Sequence, residues 1–155
     1  MLNRRHFISL TSSVFAAAAL PARAATSMRV LTSPGCGCCH AWADLARARG
    51  FAVSVEELTD PEGQKAALGV PLELASCHTV ETEGYVFEGH VPFEALDAVL
   101  RDRPGITGLA VPGMPMGSPG MGDDPAARYD VMAFGGAAGR GRVYYRAGTP
   151  QPFAG

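Results

Sequence analysis

Short apolar runs alternate with amphipathic stretches along most of this chain. Met28 to Thr32 (MRVLT) reads as a strand, broken by Ser33-Pro34-Gly35. From Gly37 the period becomes helical: Trp42, Leu45, Ala46 and Arg49 recur at spacings of three and four, and Gly50 fits a C-terminal stop. Phe51 to Val55 alternates as a second strand, so a parallel pair joined by a right-handed crossover is expected. Asp60 is placed to cap a helix with Pro61 at its first position, running to Leu68 before Gly69. Val70 to Ser76 reads as a connector. Thr79 to Thr82 and Tyr85 to Glu88 read as strands about a Glu83-Gly84 turn. Pro92 to Arg101 reads as a helix, apolar at Phe93, Leu96, Val99 and Leu100. Trp42, Leu45 and Phe93 are core candidates.

The resulting order, β-α-β-α-β-β-α, is that of a thioredoxin- or glutaredoxin-like α/β domain. The tail departs from it. Pro104 to Asp124 is a long loop of Pro, Gly and Met, and loops of this length are usually functional or disordered. Tyr129 to Phe134 and Arg142 to Arg146 then pair as an expected C-terminal hairpin across a Gly-rich turn.

The first 24 residues read differently. Arg4 and Arg5 precede a mainly apolar run, Phe7 to Leu20, too short for a membrane-spanning helix of about 20 residues. Ala22-Arg23-Ala24 is a small-x-small cleavage site. Residues 1–24 are therefore an expected export signal, and Arg4-Arg5 followed by Phe7 resembles the twin-arginine kind. The expected destination is the periplasm, where free thiols tend to oxidise unless a metal holds them. Residues 25–155 remain as a single expected domain.

Composition narrows the class. At 155 residues, 47% apolar and 18% charged, the chain is neither a charged disordered tail nor long enough for several domains. Its formal charge of −2 becomes −5 once residues 1–24, which hold three arginines and no acid, are set aside. Lys65 is then the sole lysine. A nucleic-acid footprint is not expected, and no second apolar span follows the signal.

Three of the four cysteines fall in Cys36-Gly37-Cys38-Cys39-His40, between the first strand and first helix. Cys36 and Cys39 have the redox CxxC spacing, and a helix N-terminus favours thiolate. Cys77-His78 precedes the third strand, where a thioredoxin-like domain usually carries a cis-proline against the CxxC; no proline follows here. Both sulfur sites fall at the C-terminal edge of the expected sheet, a common ligand location. Four sulfurs and an imidazole exceed what a dithiol enzyme needs. Several assignments fit: two structural disulfides (Cys36–Cys39 and Cys38–Cys77), a closed zinc site, an iron–sulfur cluster, or Cu(I). The spacing matches neither the usual zinc pairs nor a ferredoxin run. Clustered soft thiolates that can bridge metals favour Cu(I), with several ions sharing sulfurs.

Met114, Met116 and Met121 sit among prolines and glycines in VPGMPMGSPGM, with no period that would bury them together. Thioether is a soft copper ligand that cannot be lost to disulfide formation; methionine also fills irregular gaps. His78 and His90 are candidate ligands or partners of ligands. His40, on the first helical turn, is a ligand, a thiolate partner or an exposed side chain. Asp123-Asp124 reads as solvated loop.

CGCC before a helix, ELASCHT, GYVFEGHVP and GLAVPGMPMGSPGM, in that order from about Val30 to Tyr145, together resemble the CopG-like family of bacterial envelope proteins. The resemblance implies a thioredoxin-like fold, a link to copper resistance, and a copper cluster held by Cys36, Cys38, Cys39 and Cys77. His78, His90, Met114, Met116 and Met121 match family motifs by position. Two functions follow as expectations. One is copper binding for resistance, holding Cu(I) as a multinuclear thiolate cluster and cycling its oxidation state, alongside other envelope copper-handling proteins. The other is thiol–disulfide oxidoreduction through Cys36 and Cys39, against which the missing proline and the extra Cys38 count. A disulfide-stapled interaction module without metal is the third class.

Overall fold

The computed structural model describes residues 24–149. The expected export signal falls almost wholly on residues 1–23, outside the described residues.

The element order is β1 (Ser27–Thr32), α1 (Gly37–Ala48), β2 (Ala52–Glu57), α2 (Pro61–Ala67), β3 (His78–Thr82), β4 (Tyr85–Glu88), α3 (Phe93–Asp102), β5 (Gly108–Ala110), β6 (Tyr129–Phe134) and β7 (Arg142–Ala147), with short 3-10 turns at Leu72–Leu74 and Gly136–Ala138. The seven strands form one sheet in the order β2-β1-β3-β4-β5-β6-β7. β1 and β2 are parallel, as the strand–helix–strand pattern requires, and β3 is antiparallel to both β1 and β4. The first seven elements thus keep the expected order of the thioredoxin-like core.

The tail extends that core. β5 lies within the stretch read as loop; it pairs parallel to β4, and β6 pairs antiparallel to it, so the C-terminal hairpin joins the main sheet. Gly108 is required there, because a Cβ at that position would clash with the Val86 carbonyl oxygen. The Pro/Gly/Met loop proper is the stretch between β5 and β6.

Local chemistry explains the helices. Asp60 caps α2, its Oδ1 accepting from the Gly63 N–H at 3.0 Å, with Pro61 at the first position. The stripe that α1 buries is Cys39, Trp42, Ala43 and Ala46, spaced at helical period. Leu45 is a correction to the expected core: it is 43% exposed, on the flank of that stripe. Trp42 is fully buried, stacks on Phe93 at 4.9 Å between ring centroids, and donates Nε1–H to the Val91 carbonyl at 3.1 Å. It ties α1 to the start of α3 beside the sulfur-bearing loops. A second apolar cluster joins Val70 and Leu74 of the α2–β3 connector to Val86, Ala110 and Phe134 of the sheet.

Candidate metal centre

The α1 N-terminus presents the sulfur cluster. Cys36 is the N-cap residue in extended conformation, with Gly37, Cys38 and Cys39 opening the helix. Cys36 and Cys39 are joined by a disulfide, while Cys38 and Cys77 are free thiols. The alternative of two disulfides is therefore not the state described. Cys38 Sγ lies 3.6 Å from Cys36 Sγ. Cys39 Sγ lies 3.7 Å from the Cys77 carbonyl oxygen. The latter is a contact only, because a disulfide sulfur has no proton to donate.

Cys77 arrives from the opposite side, on the connector before β3, with no cis peptide bond among the described residues. The sulfurs of Cys36, Cys38, Cys39 and Cys77 all lie within 4.8 Å of one another. A second group, Cys77, His78 and His90, meets the same limit, so Cys77 belongs to both. Its Sγ stands 3.3 Å from His78 Nδ1 and 3.0 Å from His90 Nε2.

Burial sets the protonation of these groups. It pushes the Cys77 thiol up to about 12, helped by the neighbouring Cys38, so the metal-free thiol is neutral. It pulls His78 down to about 3, with further repulsion from His90 and Lys65. His90 is also lowered by burial, partly offset by its bond to the Pro119 backbone. Both imidazoles are therefore neutral near pH 7, the form that binds metal. His78 Nε2 is buried without a hydrogen-bond partner among the described residues, and the ring sits 5.3 Å from that of Trp42. Thiols, which release a proton on binding, and neutral imidazoles, which bind through a lone pair, are a donor set suited to soft or borderline cations.

The Met loop closes over this site. A Cβ on Gly120, where φ is +87°, would stand 2.9 Å from the Trp42 nitrogen and 3.0 Å from the Cys38 carbonyl oxygen, so only glycine allows the loop to lie this close to α1. Ser76 Oγ donates to the Gly113 carbonyl at 2.6 Å, pinning the start of the loop beside Cys77. Met114 is 52% exposed and shares a cavity of about 470 Å³ with Cys77. Met116 is 59% exposed, and Met121 is half-buried with its backbone N–H on the Ser118 carbonyl. His40 turns to Glu57, Nε2 to Oε1 at 3.4 Å, rather than to the sulfurs. Asp123 and Asp124 are exposed.

Glu88 is completely buried and paired with Lys65, itself 7% exposed. The sequence signal was slight: a sole lysine, and an acid ending an apolar strand.

The structure is similar to two solved structures. "Copper resistance protein copG- Form 1" is 37% identical, with a TM-score of 0.71, covering 77% of this chain and 95% of that one. "Copper resistance protein copG- Form 2" is 36% identical, with a TM-score of 0.72, covering 79% and 98%. This chain belongs to the CopG-like copper-resistance family. Residues 74–121 also match the family described as "Protein of unknown function, DUF411"; they run from the connector before Cys77 to Met121. Comparison of the sequence with curated proteins finds no match. Among the described residues, no helix is long and apolar enough to cross a membrane.

Proposed function

We propose that this CopG-like chain is an exported copper-binding protein for copper resistance, acting in the periplasm. Cys36, Cys38, Cys39 and Cys77 hold Cu(I) as a multinuclear thiolate cluster, with His78 and His90 completing coordination on the Cys77 side. The observation that carries this reading is the double membership of Cys77: one sulfur within 4.8 Å of three other sulfurs and of two neutral imidazoles. A bridging thiolate between two donor groups is what a site for several soft ions needs. Met114, which lines the same cavity as Cys77, supplies a thioether to the site, with Met116 and Met121 on the same loop.

Opening the Cys36–Cys39 bond takes two electrons and two protons, so the full sulfur set belongs to the reduced chain. The oxidised chain keeps Cys38, Cys77, His78 and His90. That difference supports an extension of the reading, in which copper oxidation state and thiol oxidation state change together. The test is competitive Cu(I) titration of the reduced protein, with Cys36→Ser and Cys77→Ser variants. Either substitution is expected to lower stoichiometry and affinity; unchanged binding in both overturns the assignment.

The disulfide at CxxC spacing favours a second reading, thiol–disulfide oxidoreduction through Cys36 and Cys39. Catalysed insulin reduction by the wild type, lost in Cys36→Ser, supports it; absence of turnover removes it.

A further inference from the structure

We infer that the buried Glu88–Lys65 pair is a positioning device that presets the Cys77-His78 and His90 arms of the metal centre; this rests on the copper-binding reading above. Glu88 ends β4. Its Oε1 accepts from Lys65 Nζ at 2.5 Å and from the Ser76 backbone N–H at 2.6 Å. Its Oε2 accepts from Thr79 Oγ1 at 2.6 Å, while Lys65 Nζ also donates to Thr79 Oγ1 at 3.0 Å. One carboxylate thus grips the residue just before Cys77-His78 and the residue just after it.

The same segment sets His90. The Gly89 N–H, next in chain to Glu88, donates to the His78 carbonyl at 2.7 Å. A Cβ on Gly89, where φ is +73°, would stand 2.6 Å from the Ser76 side chain and 2.7 Å from the Val111 carbonyl. Glu88 therefore fixes the two chain segments whose side chains converge on Cys77. In the expected layout a cis-proline holds this connector; here a buried carboxylate does so.

The arrangement is costly as a stability device. A buried ion pair is often replaceable by apolar residues without loss, whereas removing one partner leaves an uncompensated charge. Glu88 is completely buried, against the almost fully buried Lys65. Its geometric role accounts for keeping it: outer hydrogen bonds that orient ligands typically matter 10–100-fold in metal affinity.

The test separates charge from hydrogen bonding with two double variants. In K65M/E88Q the amide keeps an acceptor for Ser76 N–H and a donor for Thr79 Oγ1, without charge. In K65M/E88L the grip is gone, and neither double variant leaves a lone buried charge. Both are checked for wild-type circular dichroism and for a thermal midpoint near wild type. Affinity is read by competitive titration with Ag(I), a redox-silent analogue of Cu(I). K65M/E88Q is expected to bind within about threefold of wild type, and K65M/E88L about 10–100-fold more weakly.

A second readout needs no metal. In a Cys38→Ser background with the Cys36–Cys39 disulfide intact, Cys77 is the sole thiol, and its alkylation rate reports how firmly the connector is held. About tenfold faster alkylation is expected in K65M/E88L, with the wild-type rate in K65M/E88Q. Equal affinities and alkylation rates in the two double variants overturn the inference. Absence of Ag(I) binding by the wild type overturns the copper reading instead, and the alkylation rates still decide the role of Glu88.

Discussion

His90 spans Cys77 and the Met loop: its Nε2 stands 3.0 Å from Cys77 Sγ, and its Nδ1 stands 2.7 Å from the Pro119 carbonyl oxygen. A carbonyl only accepts, so in the neutral ring Nδ1 carries the proton and Nε2 presents its lone pair to the sulfur. The loop between β5 and β6 thereby selects the tautomer that can coordinate a metal beside Cys77.

That dependence is testable through Gly120, next to Pro119. Gly120→Ala forces the loop off the α1 backbone, since its Cβ would meet the Trp42 nitrogen at 2.9 Å. It should cost about 1–3 kcal/mol of stability and weaken Cu(I) binding. Gly105→Ala, where a Cβ meets nothing within 4 Å, is the control and should change little. Thermal midpoints and competitive Cu(I) titration of both variants check this.

Burial of Cys77 makes metal binding proton-coupled. With its thiol pushed up to about 12, Cys77 is protonated throughout the neutral range and must lose its one proton to become a metal ligand. Apparent affinity should therefore rise about tenfold per pH unit for each proton displaced. Competitive titration at several pH values between about 6 and about 8 measures the slope. A flat profile excludes Cys77 as a thiolate ligand.

Apo-protein stability should fall on acidification. His78 is held near 3 when folded, against an ordinary 6.5, so the unfolded chain binds more protons between those values. Stability from its neutral burial is complete above pH 6.5 and is lost as pH falls towards 3. The groups facing it are Cys77, His90, Lys65 and the Trp42 ring, and the charges of His90 and Lys65 act in the same direction. Urea midpoints of the metal-free protein should drop between about pH 7 and about pH 5. His78→Leu should flatten that slope.

Much of this geometry was legible in the sequence because it rests on local rules. CxCC before a helical period placed three sulfurs on the α1 N-terminus, and Asp60-Pro61 announced the α2 cap. The parallel β1–β2 pair followed from strand–helix–strand order. β5 was not legible, because Gly108-Leu109-Ala110 is too short for a period and lies among glycines and prolines. Leu45 was misplaced because helical spacing alone admits a stripe one position to the side of the buried one. The Lys65–Glu88 pair was hidden because charged residues read as surface until tertiary structure brings them together.

Thiol accounting distinguishes the oxidation states. Metal-free protein prepared in air and denatured without reductant should show two free thiols, Cys38 and Cys77, and four after reduction. Peptide mapping should place the disulfide at Cys36–Cys39. A Cys38–Cys77 bridge in the mature protein would support the disulfide-stapled interaction module instead.

The most direct test of copper binding is the metal content of anaerobically reduced protein after Cu(I) loading and desalting. The account predicts more than one copper per chain, retained against a competing chelator, and a lower ratio in Cys77→Ser. Protein that retains no copper, or a Cys77→Ser variant that retains as much as wild type, would contradict it.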